Sequence, residues 1–365
     1  MSGEAASPHG TPLWSWAFPL AALTLVGIGH LDAVDEDAGW LAALAAVAVI
    51  GAVFAAVHHA EIVAIRLGQP FGSLVLAAAV TAIETSLILS VLLSTETDAP
   101  EVARDTVLAV LMIVLNGVVG LCLLAGGLRH HDQGFQVRGA SGALSVVGTL
   151  AVLAMILPNY THSETGPLYS PVQLGFVAVM SLSLYGLFVF VQTVSHRSDF
   201  LDADGHAADH ARIPALLALR AAGLLVLALI AVVALAETLT QPVARVVGAA
   251  GLPPAFVGVV IATLTLMPEG LSAFRAARAN RLQTSLNLAL GSAMASIGLT
   301  IPVVSLVSVW AGKSIVMGLD PEHMVLLVLT MFAATLTLAT GRTTVLQGGV
   351  HMVIFAAFLV IAAIP

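Results

Sequence analysis

The sequence predicts an all-α polytopic membrane protein of about eleven transmembrane helices, with one leading helix and two inverted five-helix repeats. Three observations predict it. Of 365 residues, 59% are hydrophobic and 9% charged, against about 25% charged in an ordinary soluble domain; mean hydropathy is +1.01. Eleven apolar windows are each long enough to cross ~30 Å of hydrocarbon. The short loops between them alternate in charge. The same composition excludes other classes. The few basic residues sit in short loops and the formal net charge is -8, which gives no footprint for nucleic acid. There is no P-loop, no G-x-S-x-G and no kinase motif set, so the chain is expected to be no enzyme and to draw no energy from ATP by itself. No cofactor is expected. The single cysteine, Cys122, offers neither a disulfide nor a zinc pattern.

In chain order the windows lie near 13–30, 40–65, 72–94, 105–128, 141–158, 170–194, 213–236, 254–275, 283–311, 323–340 and 344–364. The first twelve residues lack a basic n-region, so the first window is expected to stay in the mature protein. Windows 2 and 9 are long enough to tilt or to extend past the bilayer. Arg66, Arg129, Arg138, Arg197, Arg212, Arg275, Arg278, Arg281 and Arg342 fall in alternate loops, with Arg220 just inside helix 7, so one side holds ten of the thirteen basic residues. The other side holds Arg104, Arg245 and Lys313 beside many acids, among them Asp32, Glu96, Glu164 and Asp320. The positive-inside rule then places the N-terminus in the cytoplasm and the C-terminus outside.

Residues 1–39 carry helix 1, 40–194 the first repeat, 195–212 a linker and 213–365 the second repeat. Five crossings reverse direction, so the second set is inverted relative to the first. The two halves share a pattern: Glu61 near the cytoplasmic end of helix 2 and Glu237 near the outer end of helix 7. Glu84 follows Gly72 by twelve residues, and Glu269 follows Gly258 by eleven. Inverted repeats with a polar midplane site are a recurring plan of secondary transporters. The linker, SHRSDFLDADGHAADHAR, reads either as a solvated connector or as a weak cation sensor, since its Asp oxygens suit hard cations and its His titrates near neutrality.

Glu84 and Glu269 are the candidate cation and proton site. A carboxylate near mid-bilayer costs at least ~2.5 kcal/mol. Away from water the group favours its protonated form, and a bound cation reverses that preference. Protons and metal therefore compete for the same oxygens. A hard cation such as Ca²⁺ wants 6–8 oxygens, so further ligands are expected among Thr81, Thr265, Ser292, Ser296 and Asn116, each of which also reads as small-residue or polar helix packing. Pro268 should free the carbonyl of Leu264. His58 and His59 precede Glu61 in VHHAEIVAIR, without the i, i+4 spacing of a helical zinc site; with Glu61 and Glu237 they read as access-vestibule residues or as interfacial side chains. His351 reads as a satisfied bundle histidine.

The stretch AEIVAIRLGQPFGSLVLAAAVTAIETSLI, Ala60 to Ile88, resembles the first repeat of the cation/proton exchangers in the Ca²⁺/cation antiporter superfamily. Ala236 to Ser272 resembles the second repeat, and GSAMASIGLTIP and TGRTTVLQG resemble two later motifs. The resemblance implies Glu84 and Glu269 as ion-binding acids. Thr81, Leu266 and Ala295 stand where the family carries amide side chains, which makes the chain more similar to the bacterial ChaA-type branch, associated with Na⁺ and K⁺ as well as Ca²⁺. The expected function is a secondary antiporter exchanging cytoplasmic cations for protons by alternating access, with the bilayer, inorganic cations and protons as partners. A cation channel using the same acids and an intramembrane metal-dependent hydrolase built on His58, His59 and Glu61 are the alternatives. Cation identity, stoichiometry and oligomeric state are not legible.

Overall fold

The computed structural model describes residues 11–29, 39–67, 71–93, 100–200 and 213–365, with side chains described except at 29, 39–42, 71–74, 76 and 236–241. The loop acids Asp32 and Glu96 and linker residues 201–212 lie outside the described residues. Eleven helical rods follow one another: α1 (Trp14–Gly29), α2 (Gly39–Leu67), α3 (Phe71–Leu93), α4 (Val102–His130), α5 (Val137–Tyr160), α6 (Pro171–Ser195), α7 (Ala215–Ala249), α8 (Phe256–Arg278), α9 (Leu282–Ala311), α10 (Pro321–Leu338) and α11 (Val345–Ala363). Among the described residues, nine of these rods are long and apolar enough to span a bilayer; α1 and α3 carry the shorter apolar stretches Trp14–Ile28 and Ala77–Leu93. In hydrocarbon every backbone polar group must be paired within its own segment, which leaves the helix as the available answer to such a sequence.

Two expectations need correction. Helix 7 does not end near 236; α7 runs 35 residues to Ala249 and carries Pro242 inside it. The polar run after Ala236 interrupts the apolar pattern but not the backbone ladder, and the stop comes later, at Gly251 with φ +71° before Pro253-Pro254. Glu237 is therefore twelve residues short of the helix end, and Arg245 lies on a helix rather than in a loop. Nor is Arg104 a loop residue: it occupies the first turn of α4 and is buried.

The chain divides into two compact units. The first comprises residues up to Ser90 together with 207–243. There α2 turns a small-residue face, Ala48, Ala52, Ala55 and Ala56, to the interior, and α1 docks on it through Ser15, whose carbonyl lies 2.9 Å from His59 Nε2. Ile62 packs with Ile213 and Ala221, and Arg66 donates to the Ile213 carbonyl at 3.2 Å, tying the end of α2 to the start of α7.

The second unit comprises residues 91–206 and 244–365. Here α4 is the inner helix, with α8 and α11 against it. Close approach rests on glycine. A Cβ on Gly258 would lie 2.8 Å from the Thr106 amide nitrogen, and one on Gly348 would lie 2.6 Å from the Leu124 nitrogen. Among the described residues, four rods loosen locally into π-helical turns, at Ile113–Val118, Val152–Ile156, Val191–Ser195 and Ser296–Thr300. Two of these precede a proline by two residues, Pro158 and Pro302, whose missing N–H and ring displace the preceding turn. A two-residue antiparallel ladder pairs Gln133 with Thr343 and Gly134 with Arg342, joining the turns that follow α4 and α10.

The glycine contact yields a stability prediction. Gly348→Ala should lower the stability of the detergent-solubilised protein by about 1–3 kcal/mol, because the obstacle is backbone. Gly349→Ala, with nothing within 4 Å of the added carbon, should leave the thermal melt unchanged.

Candidate cation site

Glu269 lies in α8 one residue after Pro268, and its side chain is half-buried. Ser292 of α9 donates a 2.5 Å hydrogen bond to Glu269 Oε2. The sequence places these residues on separate helices 23 positions apart; the turn after Arg278 brings α9 back along α8. Ser296 stands one turn further along α9, at the start of a π-helical turn, and is buried. Thr265 lies one turn before Glu269 and is 1% exposed; its hydroxyl donates to the carbonyls of Ile261 and Ala262 at 3.2 and 3.1 Å. Its hydrogen is thereby spent on its own helix. Pro268 has no N–H for the Leu264 carbonyl, so a main-chain oxygen is released in the same turn. Carboxylate, hydroxyl and carbonyl oxygens are the donor set of a hard cation or an alkali ion.

Glu84 belongs to the other compact unit. It is 1% exposed, with Thr81 and Thr85 also buried in the same helix. A carboxyl group so enclosed requires a proton, a cation or hydrogen-bond donors in its company. Glu61, at the end of α2, is exposed and His58 is partly exposed. His59 differs from the vestibule expectation: it is fully buried and its Nε2 faces the Ser15 carbonyl, so its ring holds α1 to α2. The His58 ring stacks between Trp14, at 5.3 Å, and His59, at 5.5 Å. The side chain of Glu237 lies outside the described residues.

Asn116 is also placed otherwise than as a free ligand. It sits in a π-helical turn of α4, fully buried. Its amide donates to Thr330 Oγ1 at 2.9 Å, and its carbonyl oxygen lies 3.0 Å from His351 Nδ1. His351 Nε2 lies 3.1 Å from Thr337 Oγ1. An amide oxygen only accepts, so Nδ1 carries the proton and Thr337 donates to Nε2. Helices α4, α10 and α11 are joined by this chain of neutral groups.

Sequence reasoning missed one cluster in the second unit. Arg104, 4% exposed, donates from Nε to Asp105 Oδ1 at 2.8 Å and from Nη1 to the Gly318 carbonyl at 2.9 Å; Nη2 lies 3.3 Å from Asp320 Oδ2. The available signal was the Arg-Asp pair directly ahead of the candidate span of highest mean hydropathy. Arg104 was read as loop because two of its partners, Gly318 and Asp320, are more than two hundred residues away.

The profile of the sodium/calcium exchanger protein family matches the chain in two segments, residues 38–194 and 220–364. The Sinorhizobium fredii protein y4hA, an ionic transporter by name, is 50% identical over 359 residues, covering 97% of each chain. The sodium-potassium/proton antiporter ChaA of Escherichia coli is 35% identical over 350 residues, covering 94% of each. In fold, the chain is similar to native YfkE, with TM-score 0.73 at 18% identity over 96% of this chain and 100% of that one. With a match of this extent in both halves, the chain belongs to the sodium/calcium exchanger family, as a multi-pass secondary transporter of the cation/proton antiporter kind.

Proposed function

We propose that this protein extrudes cytoplasmic cations, Ca²⁺ together with Na⁺ and K⁺, in exchange for protons entering the cell, across a bacterial cytoplasmic membrane with its N-terminus inside and its C-terminus outside. The observation that carries the reading is the carboxylate of Glu269 hydrogen-bonded to Ser292 inside an apolar helix pair, with a second enclosed acid, Glu84, at the matching place of the first half. In this reading the halves 40–194 and 213–365 are inverted repeats, and Glu84 and Glu269 face a common site between them. Thr81, Thr265, Ser292 and Ser296 add neutral oxygens. Glu61 and Glu237 serve as the access acids on opposite faces. ChaA is a sodium-potassium/proton antiporter and YfkE a Ca²⁺/H⁺ antiporter; the pair supports a site of mixed selectivity.

The mechanism follows from charge. The site holds either protons or a cation, because two bare carboxylates in low dielectric repel each other and lack the solvation of water. Loaded with either, it is close to neutral and can be presented to the other face. Empty, it is held back, and that restraint couples the two fluxes.

Two measurements test the reading. In everted vesicles, addition of Ca²⁺, Na⁺ or K⁺ should dissipate a proton gradient followed by a quenched dye, and Glu84→Gln or Glu269→Gln should abolish this while the protein still inserts. Flux retained in both variants rejects the site. Protons and cation compete, so the apparent KM for cation should rise as pH falls, approaching tenfold per pH unit where one proton is displaced; it should level off at high pH. Ser292→Ala should raise KM about 2–13-fold, the worth of one hydrogen bond, with a smaller effect on the maximal rate. In a Cys122→Ala background, Glu84→Cys with Glu269→Cys should cross-link through a short thiol-reactive bridge. No cross-link in any transport condition would separate the acids and remove the shared site.

A further inference from the structure

In the second unit, the last turns of α4 and α8 end side by side, and both are basic: Arg129 on one, Arg275 and Arg278 on the other. With Leu271, Phe274 and Ala279 they line an open groove of about 440 Å³. Three features set this groove apart from ordinary loop charge. Among the described residues, no carboxylate lies within 4 Å of any of these three guanidinium groups; Asp132, on the turn that follows α4, is taken by Arg342 at 3.1 Å. Basic residues in a last turn commonly serve the helix's own terminal carbonyls. At the end of α8 those carbonyls have other partners, since Gln133 Nε2 donates to that of Ala277 at 2.9 Å and His130 Nε2 lies 3.0 Å from that of Arg278. The third feature is the wall. Leu271 is 39% exposed and Phe274 partly so, and the Arg278 guanidinium is held 5.8 Å from the Phe274 ring centre. Charge and apolar surface therefore meet in one concavity.

The geometry points to a binding site for an anionic phospholipid, with the phosphate diester among Arg129, Arg275 and Arg278 and an acyl chain along Leu271 and Phe274. Guanidinium groups match phosphate oxygens by paired N–H donors. Basic pockets between transmembrane helices at the interface are the kind of site that retains such headgroups. A phosphatidylcholine would bring its own cation into a site that already holds three, so selectivity for net negative lipid is built in. The occupant would also bridge the ends of α4 and α8, the helix that carries Glu269.

The test uses the full-length protein in detergent, titrated with phosphatidylglycerol or phosphatidylcholine and read by native mass spectrometry. One phosphatidylglycerol should be retained in preference to phosphatidylcholine. The Arg129→Gln, Arg275→Gln, Arg278→Gln variant should bind it roughly a hundredfold more weakly, and Arg275→Gln alone should give a smaller loss if the triple variant fails to fold. Leu271→Ser should weaken binding while leaving the charge intact. Excess inorganic phosphate should not displace the lipid. Equal retention of both lipids, undiminished binding by the folded arginine variants, or full displacement by inorganic phosphate would overturn the assignment; the last would make this a free-anion site.

Discussion

A carboxyl group away from water does not exist by itself. It must hold a proton, hold a cation, or be met by donors, and each choice has consequences for everything packed around it. Glu269 and Glu84 place that demand at matching positions of the two halves. Glu269 is met by a neutral partner, the hydroxyl of Ser292, with Thr265 and Pro268 in the turn before it. None of these is a fixed positive charge. An arginine beside Glu269 would hold that acid permanently ionised and compensated.

The contrast with Asp105 makes the point. Asp105 is also buried, yet Arg104 contacts it at 2.8 Å and the same guanidinium reaches Gly318 and Asp320. That acid is pinned, and with it the start of α4 is fixed to the segment preceding α10. Asn116 and His351 form a third arrangement, neutral and mutually satisfied, that joins α4, α10 and α11 without any charge to neutralise. One unit thus holds an acid paired with arginine, a neutral network for packing and an acid met by a serine hydroxyl. Burial alone does not separate them; the identity of the partner does.

Packing supports this division of labour. Glycine contacts such as Gly258 on Thr106 and Gly348 on Leu124 bring backbones together where lipid gives no hydrophobic drive between helices. The π-helical turns shift the side-chain register within otherwise regular rods, and two of the polar candidates, Asn116 and Ser296, lie in them. A wider turn re-aims a side chain at small cost, which suits positions that must find a specific partner on another helix.

The sequence by itself determined the membrane class, the eleven helices and the two acids, because bilayer thickness and the cost of charge in hydrocarbon act on each segment separately. What lay beyond it were facts about partners. Nothing in GSAMASIG says that Ser292 rather than Ser296 would donate to Glu269. Nothing near Asn116 points to a histidine 235 residues later, and the buried standing of Arg104 depends on Gly318 and Asp320. The end of α7 was misread for a related reason: hydropathy marks where lipid stops being suitable, whereas the helix stops where its backbone hydrogen bonds run out, at Gly251 and the prolines beyond. Tertiary structure decided these points because a polar side chain in an apolar bundle takes its role from whatever group the fold brings within 3 Å of it.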